Sequence, residues 1–109
     1  MAGVGVSLAQ VRKLALALPE ASESPHFQST SFRVRGKIFA TAPDAQTLHL
    51  FVAEEARSQA LALYPAFIEK LPWGAKIVGL RIRLAEADRA VVADLLKLAW
   101  RAKAPKALQ

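Results

Sequence analysis

Strict alternation on both sides of a glycine makes residues 31–41 the stretch that most constrains this chain. Phe32 and Val34 point to one side of an extended strand and Arg33 and Arg35 to the other. Gly36 then supplies the positive φ that a tight two-residue turn needs, and Ile38, Phe39 and Ala40 bring the chain back. This predicts a β-hairpin with a basic tip. Residues 79–84 repeat the pattern, with Leu80, Ile82 and Leu84 alternating against Arg81 and Arg83. A period of two that separates apolar from charged side chains predicts a sheet with one face in the core and one face bearing arginines.

One core is what 109 residues can build, since a domain of this size buries about 65% of the surface its unfolded chain exposes. With 53% hydrophobic residues and no polar low-complexity tract, residues 1–109 read as a single ordered domain. The absence of cysteine excludes a disulfide framework, a thiolate metal site and a cysteine nucleophile together. No apolar run approaches the roughly 20 residues of a membrane span, and residues 1–6 lack the basic start and apolar core of a signal peptide. The expected address is therefore cytoplasmic, with no membrane partner. A net charge of +6 and a pI near 10.2 fit an anionic partner, and equally fit a surface charged for solubility alone.

In chain order, Ser7 and Gln10 form a capping box, flanked by Val6 and Val11 at the positions of a hydrophobic staple, so a first helix starts here and ends before Pro19. Residues 20–25 are polar and turn-forming, and His26 and Phe27 read as the start of a short strand. Pro43 and Asp44 mark a turn, and residues 47–51 a third long strand. Glu54 and Glu55 suit the first turn of a second helix that stops at Pro65. Residues 66–70 follow as a short strand, 71–75 as a loop carrying Trp73, and 77–84 as the last strand. A final helix starts near Glu86 or Asp88 with Val91, Val92, Leu95, Leu96, Leu98, Ala99 and Ala102 as its apolar stripe, and Pro105 ends it before a short frayed tail. The fold class expected is α+β: a two-layer α/β sandwich in the order α-β-β-β-α-β-β-α, with a five-stranded antiparallel sheet and the helices on one face.

Residues 14–19, 32–40, Pro72-Trp73-Gly74 and 95–106 together carry a resemblance: the chain is similar to members of the MmcQ/YjbR family over nearly its whole length. The resemblance implies the same α-β-β-β-α-β-β-α order and a DNA-binding label that rests on analogy with a double-wing arrangement. It implies no cofactor and no catalytic residue.

The candidate nucleic-acid-binding residues are Arg33, Arg35, Lys37, Lys76, Arg81 and Arg83, because guanidinium forks match phosphate oxygens and a β-ribbon fits a groove. The bland reading is that an uncovered sheet face must be polar and that basic residues deter edge-to-edge pairing. Carboxylates of Glu69 or Glu86 folded over Arg81 and Arg83 would close the phosphate site. Duplex DNA ranks above a single strand, since Phe32 and Phe39 belong to the core. Trp73 is expected to pack over the end of the core with its N–H on an acceptor, the alternative being an exposed stacking or partner-binding anchor; Trp100 is expected partly buried. His26 and His49 lack partners at metal or general-base spacing, and no nucleophile elbow, zincin spacing or phosphate loop is present. The expectation is a non-enzymatic protein that binds DNA weakly and largely without sequence preference, the alternative being a module that docks a partner protein.

Overall fold

Ser7 opens the first helix as its spacing requires: its hydroxyl accepts from the Gln10 N–H at 3.1 Å, and the Gln10 side-chain oxygen accepts from the Ser7 N–H at 2.9 Å. Val6 and Val11 are both buried beside it. The computed structural model describes residues 5–26 and 29–109; residues 1–4 and Phe27, where a strand start is expected, lie outside the described residues. The helices are α1 (Leu8–Leu16), α2 (Glu54–Leu63) and α3 (Arg89–Lys103). Asp88 caps α3, its carboxylate accepting from the N–H groups of Ala90 at 2.9 Å and Val91 at 3.3 Å.

Six strands form one antiparallel sheet: β1 (Ala21–His26), β2 (Ser29–Val34), β3 (Lys37–Asp44), β4 (Thr47–Leu50), β5 (Ile68–Trp73) and β6 (Lys76–Arg83), in the order β1-β2-β3-β4-β6-β5. The five strands expected from the pattern become six because β1, polar and read as a turn, pairs along its whole length with β2. As an outer strand, β1 can carry Pro25, which would be costly between two partners. β5 also differs from expectation: it runs on through Pro72 and Trp73, so the connection to β6 is only Gly74 and Ala75, with Gly74 at φ +60°. It is the other outer strand.

Cross-strand partners share a face, and the register places Phe32, Ala40, Leu50 and Leu80 in one row and Leu48, Ile82 and Ile68 in another, all buried. A bulge separates the pairs Phe32–Ala40 and Arg33–Ile38, leaving Phe39 as the extra residue of β3, fully buried with Ala40 beside it. α3 packs over β2, β3 and β4, α1 lies against α3 and β1, and α2 lies against β5. Burying each large side chain of this core stabilises by about 1.5–3 kcal/mol. Trp100 is 4% exposed and donates its indole N–H to the Pro19 carbonyl at 2.9 Å, tying α3 to the end of the α1 segment.

Two details of α3 depart from the sequence reading. Leu98 and Ala102 lie on its exposed side, outside the stripe that Val92, Leu95, Leu96 and Ala99 bury. The C-terminal residues are docked rather than frayed: Lys106–Leu108 make a 3-10 turn, and the Gln109 side-chain amide donates to the carbonyls of Arg101 at 3.0 Å and Ala104 at 3.1 Å. Among the described residues no helix is long and apolar enough to cross a membrane.

Candidate nucleic-acid interface

The alternation that buries one face of the sheet sets a polar row on the other. By register, Ser24, Ser31, Thr41, His49, Arg81 and Glu69 are successive cross-strand neighbours over all six strands. Ser31 is fully buried within this row; its hydroxyl donates to the Ser24 carbonyl at 2.9 Å and accepts from Arg33 Nε at 3.0 Å. Arg33 therefore folds back along its own strand. At the other end, Arg81 and Arg83 share one carboxylate, Glu69, at 3.6 and 3.8 Å. Arg83 also meets Glu86 at 3.7 Å and donates to the Ala66 carbonyl.

These pairs decide the electrostatics of the face. Each is more than a third exposed and contributes about 0–1 kcal/mol to stability, yet each occupies a guanidinium that a phosphate would need. Arg33, Arg81 and Arg83 stand against Glu69, Glu86 and Asp44, which joins the same face through its pairing with Thr47, so the arginine face carries no net charge. The +6 of the whole chain therefore sits elsewhere.

His49 lies beside Arg81, whose Nε–H points to His49 Nε2 at 3.5 Å, the outer limit of a hydrogen bond. Burial pushes its pKa down from the ordinary histidine value, the Arg81 guanidinium pushes it further, and Asp44 opposes them.

Arg35 is not on the arginine face at all. It forms the β2–β3 turn with Gly36, at φ +50° and +80° respectively, so the alternation stops at Val34 and the strand does not carry its side chain to the same side as Arg33. The Glu20 carboxylate grips it at two points, 2.5 Å to Nε and 2.9 Å to Nη2. This hydrogen bond lowers the Glu20 pKa and raises that of Arg35. Lys37 pairs with Val34 and so shares the opposite face from Arg33. Lys76 pairs with Trp73 at the start of β6, about 16 Å along the strand from Arg81. Of the six candidate residues, the structure keeps only Arg33, Arg81 and Arg83 on one face, with Arg33 three strands from the other two.

The same register brings other groups together. β2, β4 and β5 run toward one end of the sheet, so the β2–β3 and β5–β6 turns both open there. Lys37 and Lys76 stand at that end on strands separated only by β4, roughly 10 Å apart in the pairing direction. Between Leu71 and Lys76 there is no carboxylate, and Trp73 projects from the tip with 78% of its surface exposed. This overturns the expectation that Trp73 covers the core. Its exposure follows from the register, which sets Trp73 at the last pair of β5, opposite Lys76.

Three surface grooves lie on the helical side. Leu63 and Leu98 line one of about 210 Å³ between α2 and α3, Lys97 and Trp100 one of about 360 Å³, and Lys13 and Arg89 one of about 120 Å³. None of these three is lined by His26 or His49. Among the described residues no three His, Cys, Asp or Glu side chains cluster as metal ligands would.

An antiparallel sheet backed by helices, with two hairpins opening at one end, defines the class of fold. The YjbR family model matches residues 16–102, and the chain belongs to the YjbR family. The crystal structure of Deinococcus radiodurans protein DR2400, with the domain designated DUF419, is similar at a TM-score of 0.73 and 18% identity, over 86% of this chain and 75% of that one. At that identity the likeness concerns the fold. No curated protein matches the sequence.

Proposed function

We propose that the protein binds duplex DNA weakly and largely without sequence preference, as a non-enzymatic protein, and that contact is made at the hairpin end of the sheet rather than across the arginine face. In this reading the helices back the apolar face and leave the tips clear to approach a backbone. The observation that carries it is that Lys37 and Lys76 stand at the same end and, among the described residues, neither makes an ion pair, whereas Arg35, Arg81 and Arg83 already hold glutamates. Lysine presents a point charge that needs no fixed geometry on a phosphate, which suits binding without sequence preference.

The test is fluorescence anisotropy of labelled duplex DNA at several salt concentrations. The log of affinity should fall steeply with log salt, by about 0.9 per phosphate neutralised. Lys37→Gln combined with Lys76→Gln should flatten that slope by up to about two, while Arg81→Gln combined with Arg83→Gln should change it little. The opposite ranking would return the site to the arginine face. Absence of binding at low salt would sink the proposal in favour of a docked partner protein, whose affinity would barely respond to salt.

A further inference from the structure

The two tryptophans of this chain have opposite surroundings. Trp100 is buried with its N–H satisfied by Pro19, while Trp73 is 78% exposed, with no hydrogen bond or ring contact among the described residues. Trp73 ends a strand and pairs directly with Lys76, placing an ammonium-bearing stem about 5 Å from the base of the indole. Glu69, the nearest carboxylate along β5, is turned to Arg81 and Arg83. The tip thus offers an open aromatic face beside a cation, with nothing acidic between them.

We infer that Trp73 is a stacking platform for an unpaired nucleic-acid base, with Lys76 on the adjoining phosphate, so that the end which holds duplex by charge gains added affinity for single-stranded or frayed segments. This rests on the anionic contact proposed above and specifies it. Inside a duplex both faces of each base are covered by neighbours, so an indole at a hairpin tip reaches a base face only where the strand is unpaired or frayed. Stacking of this kind tolerates any base, because every base has a π face. A lone cation would hold both forms of DNA by charge; the ring adds an interaction only the open form can use.

The native chain, Trp73→Phe and Trp73→Ala are titrated with a 12-residue oligothymidylate and with a 12-base-pair duplex at equal salt, followed by tryptophan emission and by anisotropy. Trp100 is the internal control: its buried emission, seen alone in Trp73→Phe, reports that the variants are folded. The inference expects the single strand to quench native emission, the quench to vanish in Trp73→Phe, and Trp73→Ala to lose roughly ten-fold or more in single-strand affinity while duplex affinity stays within about two-fold. Absence of quenching with duplex binding intact overturns this inference and leaves the duplex proposal standing. Single-strand quenching without duplex binding overturns the duplex proposal and supports the stacking role. An equal loss for both forms overturns stacking, as does an emission shift given by anionic phosphatidylserine vesicles and not by the oligonucleotide.

Discussion

The β2–β3 and β5–β6 hairpins are built alike and finished differently. Each contains a bulge and turns through two residues that include a glycine at positive φ, and both open at the same end of the sheet. The first sits inside the sheet, flanked by β1 and β4, and its tip arginine is held by Glu20. The second lies at the border, and its tip carries a bare tryptophan beside a lysine. Position explains the contrast: the inner hairpin has a neighbouring strand whose start supplies a carboxylate, while the outer one has no strand beyond β5 to supply anything. A charge that the fold has already matched is of little use to a ligand, so the proposed DNA contact draws on the outer hairpin more than on the tip of the inner one.

The largest effect that would break this comparison is steric. Gly79, in β6, has room for no Cβ, since one would lie 2.1 Å from the Leu50 carbonyl oxygen. That oxygen belongs to backbone and cannot swing aside, so Gly79→Ala should cost about 3 kcal/mol or more, read by urea unfolding. Gly36, in the inner turn, has open space around it and φ +80°, so Gly36→Ala should cost only about 1 kcal/mol, from torsion alone. Equal costs would show that the two hairpins are not constrained as described.

Releasing the matched charges sharpens the comparison in the other direction. Glu20→Gln frees Arg35 at the same end as Lys37, and the salt dependence of DNA binding should steepen by up to about one phosphate, measured by anisotropy. An unchanged slope would show that the inner tip does not reach the backbone.

The smallest effect concerns β4, between the hairpins. The His49 pKa is held below its ordinary value, so as pH falls through about 6.5 the unfolded chain takes up that proton first. The contribution to stability is complete above the ordinary value and declines from there down to the lowered one. His49→Gln should flatten the stability profile in that window, compared by urea unfolding at pH 7.5 and 5.5; an unaltered profile would show that Arg81 and burial do not act on His49.

Much of the architecture was legible because it rests on local rules. Ser7 with Gln10, Asp88, Gly36 and the alternation through Phe32 and Leu80 each specify an element from a few residues. β1 was illegible for the complementary reason: a polar stretch containing Pro25 has no strand propensity of its own and exists through pairing with β2. The site was harder still, because it depends on register. Glu69 and Arg81 are 12 positions apart in the chain and become neighbours only when β5 pairs with β6. Arg35 looked like a partner of Arg33 until the turn took it out of the alternation. The exposure of Trp73 followed from where β5 ends, one or two residues beyond the reach of any periodicity.

The outer strands have a further consequence for how copies of this chain behave when crowded. Both carry a proline, Pro25 on β1 and Pro72 on β5, and a proline has no N–H to donate to an incoming strand. A second molecule that tried to extend the sheet would meet a missing rung on either border, and on β5 also the ammonium of Lys70. Each border of the sheet is thereby a poorer template for edge-to-edge growth than an uninterrupted strand, and on β5 the interruption falls right beside the bare tip of the outer hairpin.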